Sequence, residues 1–113
     1  MDEPQQPTPA SWNESQWNMD EIFFVLSDPL RRGIVLSVAK NGPQTAESLQ
    51  RCSGRKLDAT LKQLALMRDS GLMVKKENAA DRRKSLYAIA PGVPFTTNDS
   101  GVFIDFGFCT LRF

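Results

Sequence analysis

The chain has 113 residues, 41% of them hydrophobic, and this length and composition predict one globular domain with a modest core. Its formal net charge is +1, and it contains no histidine, which is the commonest general base and the commonest metal ligand. The sequence also shows no nucleophile motif, no glycine-rich phosphate loop, no apolar run long enough to span a membrane and no signal peptide. We therefore expect a cytoplasmic protein that is not an enzyme and holds no metal or cofactor.

The positive charge is concentrated in one stretch, residues 51–84. This stretch holds ten Lys or Arg and four Asp or Glu, a net charge of +6, while the residues before it carry −4 and those after it −1. Such asymmetry indicates a negatively charged partner, although a solvated basic face without any partner would give the same count.

The N-terminal part combines a polar tail with a capped helix. Residues 1–10 contain three prolines and no large apolar residue beyond the initiator, which predicts a disordered tail. Ser11 and Glu14 fit a capping box, so a first helix is expected over residues 12–26, although a start at Asn18 is also compatible with the sequence. The second half of this helix is apolar on all sides, so the core or a second subunit must cover it.

Two more helices follow. Asp28 can cap a second helix over residues 29–40, since the proline after it suits the first helical position. A short third helix is expected over residues 46–52, with Thr45 as its N-cap and Gly54 after its end.

A fourth helix is predicted over residues 56–70, ending at Gly71. Leu57, Leu61 and Leu64 recur at the spacing of one helical face, so we expect them to point into the core. Together with the third helix and the short turn between them, this segment predicts a helix-turn-helix.

A basic hairpin completes the predicted domain. Residues 72–76 and 86–90 read as two short strands, and the polar tip between them, residues 77–85, ends in Arg-Arg-Lys. Helix, turn, helix and hairpin are the arrangement of a winged helix-turn-helix, so the predicted fold class is α+β, mainly α, with an additional C-terminal strand. The predicted DNA-binding domain covers residues 11–91.

Residues 92–113 are expected to form a linker and the C-terminal strand, which we place at residues 101–113. Both faces of this strand are largely apolar, so both need cover. Packing or strand pairing across a two-fold dimer, together with residues 11–26, is one solution, and burial within the subunit's own sheet is the other. The candidate dimerisation residues are Trp12, Trp17, Phe23, Phe103, Phe106, Phe108 and Phe113.

Three motifs carry a resemblance to a known family. They are LSDPLR at residues 26–31, the Gly-Pro turn at 42–43 and LALMRDSGLMVKKE at 64–77. With these marks, residues 18–91 resemble the ArsR-type (arsenical-repressor-like) winged-helix family of bacterial regulators. The resemblance implies a homodimeric repressor that binds double-stranded DNA sequence-specifically and is released by an effector or another signal.

The resemblance does not extend to the family's metal sites. Metal-sensing members carry cysteines where this chain has residues 44–47, Gln-Thr-Ala-Glu, and other members use histidine on a C-terminal helix. Since this chain has no histidine and its C-terminus reads as a strand, we assign no metal ligand.

Side chains opposite the leucine row are expected to contact DNA. Lys62 can bind guanine, Gln63 can pair with adenine, and Asp58 must meet a cytosine amino group or a basic neighbour. The start of the fourth helix and the basic hairpin suit phosphates or the minor groove. The candidate DNA-binding residues are Thr45, Arg55, Lys56, Asp58, Ala59, Lys62, Gln63, Arg82, Arg83 and Lys84.

Two alternatives remain open at this stage. A winged helix can bind proteins, and the aromatic C-terminal strand could extend a partner's sheet. The regulator could also respond to thiol oxidation through Cys52 and Cys109, although a free cysteine is more often a small buried apolar residue, which is the interpretation we favour. A structural disulfide is not expected in the cytosol.

Overall fold

The computed structural model describes residues 18–113 and contains, within them, four helices and six strands. The helices are α1 (Met19–Leu26), α2 (Pro29–Asn41), α3 (Ala46–Ser53) and α4 (Leu57–Asp69). The strands are β1 (Gln44–Thr45), β2 (Met73–Lys76), β3 (Leu86–Ile89), β4 (Phe95–Asn98), β5 (Gly101–Asp105) and β6 (Thr110–Arg112). The predicted tail, the Ser11 capping box, Trp12 and Trp17 lie outside the described residues.

Side-chain caps define where three of the helices begin. The Asn18 side chain accepts a hydrogen bond from the backbone N–H of Glu21 at 3.1 Å, so α1 begins at Met19, the later of the two starts that the sequence allowed. The predicted N-caps Asp28 and Thr45 are confirmed, because each accepts a hydrogen bond of 3.2 Å from the N–H three residues later. Gly54 and Gly71, the glycines expected after α3 and α4, have positive φ angles of 72° and 85°.

The core lies where α2 meets the other helices and both sheets. Helix α2 contributes Ile34, Val35 and Val38, and α1 packs on it through Ile22 and Val25. This arrangement buries one side of the second half of α1, as the sequence requires, and leaves its other side at the surface.

The wing is a small antiparallel sheet with the strand order β1-β3-β2. Met73 pairs with Ile89 and Lys76 with Leu86, which leaves residues 77–85 as the tip, as predicted. Strand β1 adds Gln44 opposite Tyr87, so the wing is joined to the residues that precede α3.

The C-terminal segment differs from the predicted single strand. Residues 101–113 form two strands, and β4, which the sequence analysis assigned to the linker, pairs with the first of them to give the order β4-β5-β6. The chain reverses at Gly107, whose φ is 92° and whose N–H donates to the Asp105 side chain at 2.9 Å. Folding the segment back on itself pairs the strand within the chain, which is the second of the two solutions considered from the sequence.

The C-terminal sheet packs on the helical core through aromatic side chains. Phe106, one of the candidate dimerisation residues, is already buried within the single chain. The ring of Phe108 stacks on Phe106 at a centroid distance of 5.9 Å and meets the edge of Phe23 at 5.8 Å. Phe108 therefore connects the C-terminal sheet to α1.

No helix within residues 18–113 is both long enough and apolar enough to cross a lipid bilayer.

Candidate nucleic-acid interface

The turn between α3 and α4 is ordered by its own hydrogen bonds. The Ser53 hydroxyl donates to the carbonyl of Gln50 at 3.0 Å and accepts from the N–H of Arg55 at 3.1 Å. Lys56 is the N-cap of α4 and makes no side-chain cap hydrogen bond, so its side chain is not used to close the helix. Both Arg55 and Lys56 are exposed at this corner of the molecule.

The basic side chains of residues 51–84 all lie at the surface. Every Lys and Arg within residues 51–84 is exposed, and these residues are distributed over the end of α3, the turn, α4 and the wing. The positive charge that is concentrated in one part of the sequence is therefore carried by consecutive elements of the fold.

The buried face of helix α4 overlaps the predicted one at Leu64 but is shifted toward Thr60. Thr60, Leu64 and Met67 are buried, and the threonine hydroxyl is satisfied by a carbonyl one turn earlier at 3.1 Å. Leu57 and Leu61 are 36% and 39% exposed. The prediction that these two leucines point into the core is wrong.

The predicted base-contacting residues of α4 have different environments. Lys62 and Asp58 are exposed, whereas Ala59 is half-buried. Asp58 lies in the first turn of the helix, where a carboxylate interacts favourably with the helix dipole. The acidic side chain therefore has a structural reason to be present on a basic face.

Gln63 lies half-buried at the contact with α2. Its side-chain oxygen accepts a hydrogen bond of 2.6 Å from Nη1 of the buried Arg31. The same guanidinium donates to the carbonyls of Val25 at 2.7 Å and Phe24 at 3.0 Å, at the end of α1. Arg31 occupies one of the two lone pairs of this oxygen, so bidentate pairing with adenine must use the other lone pair together with the amide NH₂.

The tip of the wing is held by two side chains that the sequence analysis did not single out. The Asn78 side chain accepts a hydrogen bond from the N–H of Ala80 at 3.0 Å, and Asp81 accepts from both the backbone and the side chain of Arg83 at 3.1 Å. These hydrogen bonds from Arg83 lower the pKa of Asp81. Asn and Asp commonly make such turns, so this signal was present in the sequence.

A groove of about 200 Å³ separates α4 from the wing. The exposed Leu57 and Leu61 line one side of it, and Lys75 and Lys84 lie on the wing side. Tyr87, whose side chain is buried, lies between them. The groove thus combines apolar side chains with basic ones.

No family model and no curated protein matches the sequence. Two solved structures share the fold. The transcriptional regulator Tm0710 from Thermotoga maritima has a TM-score of 0.56 at 20% identity, over 64% of this chain and 54% of that chain. The ArsR family transcriptional regulator RHA00566 has a TM-score of 0.54 at 25% identity, over 75% of this chain and 76% of that chain.

The chain has an ArsR-like winged-helix fold. The predicted fold class, α+β and mainly α, is confirmed. This ArsR-like winged helix spans about half of the length of Tm0710, at 54% of that chain. Both of these solved structures are of transcriptional regulators.

The two cysteines of this ArsR-like winged helix lie in different environments. Cys52 is exposed at the end of α3, so the interpretation of it as a buried apolar residue is wrong. Cys109 is half-buried, and its burial, followed by the charge of Asp105, raises the pKa of its thiol. Within residues 18–113 no group of three or more Cys, Asp or Glu side chains is arranged to hold a metal ion.

Proposed function

We propose that this ArsR-like winged helix is a homodimeric, sequence-specific DNA-binding transcriptional repressor. The observation that carries the proposal is the location of the basic stretch, since its ten Lys and Arg are all exposed on the helix-turn-helix and the wing. Double-stranded DNA is the partner that such a surface fits, because phosphate contacts supply most of the affinity of DNA-binding proteins. A chromosomal target is also in keeping with the cytoplasmic location expected from the sequence.

In this proposal α4 enters the major groove and the wing contacts the backbone or the minor groove. Arg55 and Lys56 at the start of α4 are exposed and suit phosphates. At the wing tip, the exposed Arg82, Arg83 and Lys84 serve the same purpose, and the first two also form surface ion pairs, Arg82 with Glu77 at 3.8 Å and Arg83 with Asp81 at 3.1 Å. Thr45 caps α3, and its hydroxyl can still donate to a phosphate while it accepts the cap hydrogen bond.

Base recognition in this proposal rests on the exposed part of α4. Lys62 is exposed and can reach guanine, and Asp58 can accept from a cytosine amino group near the helix start. Gln63 contributes through its amide NH₂ and through the lone pair of its oxygen that Arg31 does not use.

The homodimer is supported by apolar surface on α1. Phe23 and Phe24 are 45% and 57% exposed, which is a large area for adjacent aromatic residues on a surface helix. A second copy of the chain would cover them, together with the half-buried Phe103 and Phe113 of the C-terminal sheet. The effector is unidentified, and we assign it no site.

The test is selection of binding sites from a random DNA duplex library with the full-length protein, followed by fluorescence anisotropy across a salt series. We expect one enriched motif with two-fold symmetry and a linear decrease of log affinity with log salt. Equal, weak binding to selected and scrambled duplexes would contradict the proposal and would favour the alternative of a protein-binding module.

The wing provides a sharper version of this test. Arg82→Ala should weaken binding to all sequences equally and reduce the salt slope by about one, because one phosphate is no longer neutralised. Arg68→Ala is the matched control, because Arg68 is also exposed but lies in the last turn of α4, away from its DNA-facing start. If Arg82→Ala leaves the salt slope unchanged, the wing tip does not contact DNA phosphates.

A further inference from the structure

Two leucines on the recognition helix α4 are partly exposed and lie outside the hydrophobic core. Leu57 and Leu61 lie four residues apart, so their side chains neighbour each other on one face of the helix. The pair borders the buried face, which is formed by Thr60, Leu64 and Met67. The apolar pair therefore belongs to the surface of α4 and not to the core.

The surroundings of the pair indicate what it meets. It lines the groove between α4 and the wing, whose other members include Lys75, Arg83 and Lys84. Glu47 at the start of α3 also lines the groove. A partner that enters here must present negative charge toward the wing and an apolar group toward α4.

Double-stranded DNA presents both. Its phosphates carry the charge, and the C5-methyl group of thymine is the apolar group exposed in the major groove. We propose that Leu57 and Leu61 recognise thymine methyl groups and thereby determine part of the operator sequence. This inference rests on the proposed DNA-binding function and adds the base class that α4 reads.

The geometry of the helix limits where those thymines lie. Four residues along an α-helix span about 6 Å, and successive base pairs of one strand are separated by about 3.4 Å. Two methyl groups read by the pair therefore lie about two base-pair steps apart within each half-site. Lys62, next to Leu61 in the sequence, would read a neighbouring position through a hydrogen bond.

The experiment removes only the methyl group from the DNA. Each thymine of the selected operator is replaced in turn by deoxyuridine, which leaves every Watson–Crick hydrogen bond in place, and affinity is measured by anisotropy. At one or two positions per half-site we expect binding to weaken about fourfold, the factor for one methyl group returning to water. Substitutions at the other thymines should leave the affinity unchanged.

A double-mutant cycle then assigns the methyl group to a side chain. Leu61→Ala protein should bind the thymine duplex and the deoxyuridine duplex with equal affinity at the sensitive position, because the leucine that contacts the methyl group is gone. Leu66→Ala is the matched control, since Leu66 is 38% exposed on the same helix but does not line the groove. Leu66→Ala protein should still lose affinity about fourfold when the thymine methyl group is removed. Circular dichroism checks that both variants remain folded.

The outcomes separate this inference from the proposed function. If no motif is selected at all, the DNA-binding function itself fails. If a motif is selected but wild-type protein binds every deoxyuridine duplex as tightly as the thymine duplex, DNA binding stands and the reading of methyl groups is overturned. Equal sensitivity in the Leu61→Ala and wild-type proteins would also overturn the assignment to Leu61.

Discussion

Thr60 explains why α4 presents leucines to solvent. Its side chain is completely buried, and its hydroxyl donates to the carbonyl of Lys56 at 3.1 Å. A buried hydroxyl is tolerated when it is hydrogen-bonded, and a local bond to the previous turn meets that condition. Because Thr60 occupies the inner face, Leu57 and Leu61 are rotated toward the wing.

Gly101, the first residue of β5, has no room for a side chain. Its φ is 136°, and a Cβ at this position would collide with the backbone carbonyl oxygen of Phe113. Gly101→Ala should therefore lower the free energy of unfolding by at least about 1–3 kcal/mol, the usual magnitude for a strained backbone. Urea denaturation followed by circular dichroism measures this change.

Gly33 is the matched control for that substitution. It lies inside α2, and a Cβ added there meets no atom within 4 Å. Gly33→Ala should raise the free energy of unfolding by about 0.5–1 kcal/mol, since alanine favours the helix and restricts the unfolded chain. The same effect from both substitutions would contradict the strain assigned to Gly101.

At the scale of single residues, the sequence predicts what local chemistry decides. Asp28 and Thr45 were identifiable as caps because a cap depends on a few neighbouring residues. The inner face of α4 was identifiable only in part: Leu64 is buried as predicted, but periodicity could not exclude Leu57 and Leu61 from the core. The choice depended on Thr60, a polar residue whose burial is satisfied only within the helix.

At the scale of elements, Arg31 on α2 joins α1 to α4, two helices that otherwise make few contacts with each other. Its guanidinium is buried, binds the last carbonyls of α1 and the side chain of Gln63 on α4, and lies 5.0 Å from the centre of the Phe24 ring. The C-terminus of a helix favours a cation, so α1 and Arg31 stabilise each other. A displacement of α1 would consequently reach the helix that we propose to bind DNA.

Arg31→Met keeps the apolar stem and removes this connection. Because buried carbonyl oxygens and the Gln63 oxygen are deprived of a charged donor, we expect the free energy of unfolding to fall by about 2–4 kcal/mol. Thermal and urea denaturation provide the measurement.

The neighbouring arginine serves as the control for Arg31. Arg32 is exposed and makes one hydrogen bond, of 2.8 Å, to the carbonyl of Leu26. Arg32→Met should cost less than about 1 kcal/mol, as is usual for surface substitutions. Similar decreases for the two variants would show that burial of the Arg31 guanidinium contributes nothing.

The elements themselves were predictable to different degrees. The helices and the wing each have a cap, a glycine or a polar tip that marks their ends in the sequence. The C-terminal sheet has aromatic and β-branched residues throughout, so one long strand was expected where β5 and β6 occur. The reversal depends on the Asp105–Gly107 turn, whose signal is weak beside so many strand-forming residues.

At the scale of the molecule, the chain has two surfaces of different chemistry, and we propose a different binding partner for each. The basic surface comprises α4, the preceding turn and the wing, and the aromatic surface comprises the exposed side of α1 with the adjoining C-terminal sheet. Cross-strand partners share a face, so Phe103 lies on the same face as Thr96 and Arg112, opposite to the face of Phe95 and Ile104.

Phe23→Glu should weaken the proposed dimer. A charge in the centre of an apolar interface loses its hydration, so we expect the protein to shift toward monomer at micromolar concentration and to bind its operator less tightly. Size-exclusion chromatography with light scattering gives the mass, and circular dichroism verifies the fold.

Phe95→Glu introduces the same charge at a phenylalanine that is 39% exposed on the other face of the C-terminal sheet. It should leave the mass unchanged. A wild-type protein that is monomeric at all concentrations would contradict the dimer directly, and the aromatic surface would then be assigned to a different protein partner.

Leu57 and Leu61 offer a surface that responds to a methyl group without regard to the ring that carries it. Thymine and 5-methylcytosine carry this group at the same position, although their hydrogen-bonding edges differ. A hydrogen-bonding side chain would tell the two bases apart, whereas a leucine would treat them alike. Enzymatic methylation of cytosine in the chromosome would thereby act on the same contact as the base sequence, and regulation by this protein would acquire an epigenetic input.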